Sequence, residues 1–161
     1  MRLVRQTKQW LKYQLNQREV ECLRSLLRQF PITADVHAKI SQTDDDPKSV
    51  ERETLLNESL VEHRKELKIQ ATNLISAEKL KLGEKGCLLT LDPEEREIFL
   101  QILNDIRIGC WHALGKPEEL EPEKPPQTEK ELVFYNLMNL AGYFEVAFLQ
   151  ALGRNSRPGH D

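Results

Sequence analysis

Cysteine is scarce in this chain and badly placed for chemistry. Cys22, Cys87 and Cys110 are the three in 161 residues, and an odd number without close spacing suggests neither a disulfide framework nor a zinc knuckle. Reduced, buried thiols are the expectation. Glycine is also sparse, at seven residues, and Gly83 and Gly86 are not followed by the Gly-Lys-Ser/Thr of a phosphate-binding loop. The opening "MRLVRQTKQW" lacks the apolar centre of a signal peptide, so a cytoplasmic protein is expected. Charge of neither sign dominates. A formal net charge of −3 argues against a polyanion binder overall.

What is present is the composition of a soluble globular chain: 39% hydrophobic and 30% charged residues, with enough apolar surface to offset chain entropy. The length permits a real core without metal or disulfides, most simply as one domain over residues 1–152 with a flexible tail at 153–161. The charge is unevenly spread. Arg2, Arg5, Lys8, Lys12, Arg18, Arg24 and Arg28 face only Glu19 and Glu21 within residues 1–28. This basic arm is read first as a solvated face, and second as a surface for phosphate or an acidic partner.

Alternation in "WLKYQLNQRE" puts Leu11, Tyr13 and Leu15 on one side of a strand, for which "MRLVR" is the candidate hairpin partner. Asn16 and Glu19 then have the spacing of a capping box, in which each side chain satisfies a free backbone N–H at a helix start. Val20, Leu23, Leu26, Leu27 and Phe30 continue at helical spacing to Pro31, giving a helix over 17–30. A short helix is expected over 34–40. Asp46-Pro47 opens a helical region running to about residue 80, with Leu56, Leu60, Leu67, Ala71, Leu74 and Ile75 as its stripe. Asn57 leaves open whether this is one helix or two.

Residues 87–91 can extend, and Asp92-Pro93-Glu94-Glu95 opens another helix whose apolar face is Ile98, Phe99, Ile102, Leu103, Ile106, Cys110, Ala113 and Leu114. Gly115 is placed to end it in a left-handed conformation. Leu15-Asn16 with Glu19 and Leu91-Asp92 with Glu95 form two similar strand-to-helix corners, so both extended pieces can belong to one small sheet. Residues 116–127 form an acidic, proline-rich connection that cannot hold an ordinary helix. Thr128 and Glu131 have capping-box spacing again, and residues 132–152 are apolar almost all round. A core helix, or a core helix that also forms a homodimer contact, is favoured over a membrane span, because Asn136, Asn139, Glu145 and Gln150 raise the cost of insertion. Gly142 inside it points to close helix packing. The fold class is therefore mainly α: a helical bundle of four to five helices with a small antiparallel sheet.

Candidate chemistry is thin. Cys110 and His112 are about 200° apart on a helix and cannot hold one ion together. Cys110 falls on the apolar stripe, and His112 suits the negative end of the helix dipole. His63 reads as a helix-surface or boundary histidine, while His37 and His160 have no distinctive neighbours. Glu94, Glu95 and Glu97 are favourable charge at a helix start. No catalytic, cofactor-binding or metal-binding residues are assigned, and a cleft gathering His63 or His112 with carboxylates is what would support an enzyme. The residues proposed to meet a partner are Trp111, Asn136, Asn139, Tyr143, Phe144 and Phe148.

The segments "LNQREVECLRSLL", "LVEHRKELKIQATNLISA", "LTLDPEEREIFLQILNDIRIGCWHALG" and "LVFYNLMNLAGYFEVAFLQALG", after a basic strand pair, resemble domain-of-unknown-function family 2017, bacterial and mainly actinobacterial. The best match is residues 91–115. The resemblance implies a mostly helical fold with a small sheet and no established activity. Family genes often neighbour the small adaptor of the Clp protease, and some members are labelled transcription regulators. The expectation is a non-enzymatic bacterial cytoplasmic protein that binds another protein, itself included, through its last helix. A nucleic-acid-binding regulator using the basic arm is the alternative.

Overall fold

A computed structural model of the chain describes residues 1–7, 9–32, 47–76, 78–83, 86–115 and 126–154. The helix expected over 34–40, His37, most of the proline-rich connection and residues 155–161 lie outside the described residues. The chain opens with β1 (Arg2–Gln6) and β2 (Leu11–Leu15), followed by α1 (Gln17–Arg28) and α2 (Pro47–Leu74). Strands β3 (Leu80–Gly83) and β4 (Gly86–Leu91) come next, then α3 (Pro93–Ala113) and α4 (Glu129–Arg154).

The four strands form one antiparallel sheet in the order β1-β2-β4-β3. Leu11 lies opposite Leu91 and Leu15 opposite Cys87, so the two similar corners do lie on paired strands, at opposite ends of the sheet. Period-2 alternation puts Leu11, Tyr13, Leu15, Cys87, Leu89 and Leu91 into the core and leaves Lys12, Gln14, Leu88 and Thr90 on the other face. The capping box expected at the start of α1 closes. The Glu19 amide donates to Asn16 Oδ1 at 2.9 Å and the Asn16 amide to Glu19 Oε2 at 2.8 Å. At α3 the same exchange joins Asp92 and Glu95, at 2.8 and 3.0 Å. At α4 half of the box forms: the Glu131 amide donates to Thr128 Oγ1, while Glu131 Oε2 accepts from the Gln127 amide. Gly115 has φ +85°, the left-handed end expected of it.

Three expectations change. The helical region stops at Leu74, because Lys79 and Leu80 donate back to the Ser76 carbonyl and β3 then pairs with β4. The sheet consequently has four strands, and the described residues are mainly helical, with four helices beside it. Region 47–74 is one helix, with Asn57 inside it. Its expected stripe is buried only at Leu67, Ala71 and Leu74, whereas Leu56 is 60% exposed, so the core begins only in the second half of α2.

The core sits between one sheet face and the helices. Val20, Leu23, Leu26 and Leu27 come from α1, and Phe99, Ile102, Leu103, Ile106 and Cys110 from α3. From α4 come Met138, Ala141, Phe144 and Phe148. Phe148 joins the layers: its ring stacks on Tyr13 of β2 at 4.5 Å between centroids and meets Phe99 of α3 at 5.0 Å.

Candidate functional site

The tripeptide Cys110-Trp111-His112 is divided by helix geometry. Cys110 is fully buried, and desolvation pushes its thiol up to about 11, which leaves it a small hydrophobe. Trp111 is exposed at the end of α3, with its ring edge-on to His112 at 5.1 Å. His112 points into a cleft of about 260 Å³ between α2, α3 and the chain after α1. Leu60, His63 and Arg64 of α2 and Gln101, Asp105 and Ile108 of α3 line it, over Phe30, Pro31 and Ile32.

Gln101 Nε2 lies 3.0 Å from His63 Nε2. The cleft thus gathers both histidines with a carboxylate, the combination on which an enzymatic reading depended. Among the described residues its lining has no hydroxyl, thiol or amine to act as a nucleophile. Among the described residues no group of three His, Cys, Asp or Glu side chains could hold a metal ion. The cleft offers a place for a small ligand and names no reaction. His63 is exposed on its helix as the sequence suggests, but the cleft beside it had no local sign, since it is made by three stretches of chain 28 or more positions apart.

Helix α4 carries the second feature. Phe144 and Phe148, expected to meet a partner, are fully buried and belong to the core. The remaining expected residues lie outside it: Asn136, Asn139 and Tyr143 are exposed. With them, Leu132, Val133, Tyr135, Val146 and Leu149 are all large apolar side chains between 38% and 52% exposed. No charged residue falls between Glu131 and Glu145. At 100° per residue, Leu132, Tyr135, Asn136, Asn139, Tyr143 and Val146 fall within roughly a third of the helix circumference, opposite the buried phenylalanines. Among the described residues α4 is the one helix long and apolar enough, by length and composition, to cross a membrane.

Tyr143 is the partial exception to this unpartnered face. Its hydroxyl donates to Glu19 Oε1 at 2.7 Å, tying α4 to the start of α1, and the Met1 amine also pairs with Glu19. Burial alone would raise the Glu19 carboxyl. Hydrogen bonds from the Met1 amine, Tyr143 and the Asn16 amide outweigh it and hold Glu19 below the usual carboxylate range. The same Glu19 bond, with burial and charge, raises Tyr143. Gly142 is not explained by close packing: the nearest atom to an added Cβ would be Arg107 Nε at 3.8 Å, an ordinary contact.

The basic arm is split by the fold. Arg2, Arg5 and Lys12 lie on the sheet, and Arg18, Arg24 and Arg28 are exposed on α1. Arg5 and Lys12 both reach the ring of Trp10, at 5.3 and 5.2 Å from its centroid. Glu94 and Glu95 lie in the first turn of α3, where Glu95 closes the capping box and also pairs with Lys79, as a charge-stabilised helix start requires.

No protein-family model, curated protein or solved structure matches the chain.

Proposed function

We propose that the chain is a self-associating interaction protein that docks through the outer face of α4 and acts by binding rather than catalysis in the bacterial cytoplasm. The observation that carries this reading is the uncharged apolar strip on α4, left exposed while the opposite side of the same helix builds the core.

A second copy suits this strip because its pattern is symmetric about Asn139. In an antiparallel pair with its two-fold axis there, Leu132 meets the other Val146, Tyr135 meets the other Tyr143, and Asn136 meets the other Gly142. Asn139 meets itself. Leu132, Tyr135, Tyr143 and Val146 each find an apolar or aromatic partner, and the smallest residue faces an amide. The two asparagines can hydrogen-bond across the axis, where a polar pair fixes register at some cost in stability.

Sedimentation equilibrium at micromolar concentration tests the reading. A dimer is expected, and Val146→Glu should convert it to a monomer with unchanged circular dichroism. Mixing Leu132→Cys and Val146→Cys chains under oxidising conditions should give the crossed disulfide in preference to either self-pair, since only an antiparallel pair brings positions 132 and 146 together. A strictly monomeric wild type ends the proposal. A dimer that survives Val146→Glu removes α4 from it.

A further inference from the structure

The solvent face of the sheet is the surface that neither α4 nor the cleft uses. Its charges are all of one sign. The strands read RLVRQ, LKYQL, LKLG and GCLLTL, and contain no Asp or Glu. Arg2 and Gln14 are register partners on this face, and Arg2 Nη2 donates to Gln14 Oε1 at 3.0 Å. Gln14 is opposite Leu88, and Leu88 is opposite Lys81. One row across the four strands is therefore Arg2, Gln14, Leu88 and Lys81. A second row is Arg5, Lys12 and Thr90, with Arg5 opposite Lys12 and Lys12 opposite Thr90.

At one end of the second row stands Trp10, half-buried, with Arg5 and Lys12 over its ring. Arg2, Arg5 and Lys81 are exposed and Lys12 is half-exposed. The four cations spread over three inter-strand steps, or about 15 Å, on a protein whose net charge is −3. The patch is a local distribution of charge rather than an overall excess.

We propose that this sheet face binds single-stranded nucleic acid, with Trp10 as the stacking ring and Arg2, Arg5, Lys12 and Lys81 as phosphate ligands. The chemistry favours this polyanion for two reasons. An open antiparallel sheet face presents cations at strand spacing, so it can follow a flexible backbone. An indole with two cations over its ring lets a base exchange an exposed cation–π contact for stacking while its phosphates meet the displaced side chains. Every base has a π-face, so the binding is expected to be tolerant of sequence. The inference is independent of α4, because none of its residues lies on that helix.

Fluorescence anisotropy of a labelled homothymidine oligonucleotide, with the full chain titrated at several salt concentrations, provides the test. Four phosphate contacts on a single strand give a log–log salt slope of about −3, or roughly a 50-fold loss of affinity between about 50 and about 200 mM salt. Lys12→Gln or Arg5→Gln should make the slope shallower by about 0.7. Trp10→Ala should weaken binding about ten-fold and leave the slope unchanged, which a purely electrostatic surface would not do. If Trp10→Ala loses its circular dichroism signal, Trp10→Phe replaces it and should retain most of the affinity. Absence of binding at low salt overturns the proposal. So does equal or tighter binding to phosphatidylglycerol vesicles or to duplex of the same length, or affinity indifferent to Trp10.

Discussion

Tyr13→Phe should make this protein more stable, and the structure gives both the reason and the size. Tyr13 is fully buried on β2, with its ring stacked on Phe148 at 4.5 Å and an interplanar angle of 25°. Among the described residues its hydroxyl has no hydrogen-bond partner. Burying an unpaired hydroxyl costs about 1–3 kcal/mol, and phenylalanine keeps the ring, the stack and the rotamer. Loss of a few dispersion contacts subtracts a fraction of this, leaving a gain of about 1 kcal/mol. For a chain of this size that raises Tm by about 2–4 °C.

The sign can be checked a second way, through pH. Desolvation pushes the Tyr13 hydroxyl up from 10.0 to about 12, against an opposing pull from the Arg96 charge. A raised pKa means that the unfolded chain loses this proton first, so the wild type loses stability as pH rises from about 10 towards 12. Tyr13→Phe has no such group, and its advantage should widen across that window. Urea denaturation of both proteins at neutral and alkaline pH measures this. A Tyr13→Phe protein that is 1 kcal/mol or more less stable at neutral pH would refute the reasoning, because it would mean that the hydroxyl is satisfied in solution.

Gly86 has φ +124°, and an added Cβ would lie 2.4 Å from the Leu15 carbonyl oxygen. Gly86→Ala should cost about 3 kcal/mol or more, read as a lowered urea midpoint, since backbone strain and a backbone clash combine. Gly142→Ala should do the opposite, stabilising by about 1 kcal/mol in the same assay, because it removes a helix-interior glycine where the added methyl meets nothing closer than 3.8 Å. The lowered Glu19 pKa contributes stability that is present above the ordinary carboxylate value and lost as pH falls through the folded value. Acid unfolding of Glu19→Gln should therefore be less steep than that of the wild type in that range.

The parts of the fold legible in sequence were those written in neighbouring residues. Asn16 with Glu19 and Asp92 with Glu95 named two helix starts, and Leu11, Tyr13 and Leu15 named a core-facing strand. Strand β3 was not legible. Its "LKLG" buries only Leu80, while Leu82 is 88% exposed, so no alternation of burial supports it and pairing with β4 defines it. The phase of α4 was legible but missed. Asn136, Asn139 and Gln150 share one side of the helix, which marks the solvent face and sends Phe144 and Phe148 inward. The cleft, made by helices far apart in sequence, had no local sign.

The same core constrains how the two proposed surfaces can be separated by experiment. Phe148, on the inner side of α4, stacks on Tyr13, and Tyr13 sits between Lys12 and Gln14, which point out on the far face of the sheet. A substitution that loosens α4 from within would shift β2 and weaken both surfaces together. Loss of dimer and loss of nucleic-acid binding in Phe148→Ala would then report a single packing defect, expected at about 3–5 kcal/mol. Val146 and Lys12 avoid this, because each side chain leaves the core on its own side. If Val146→Glu abolishes self-association and keeps the salt-dependent binding, while Lys12→Gln does the reverse, the surfaces are independent. If Val146→Glu removes both, nucleic-acid binding requires the paired copy, and the sheet of one chain is too small a patch to hold the strand alone.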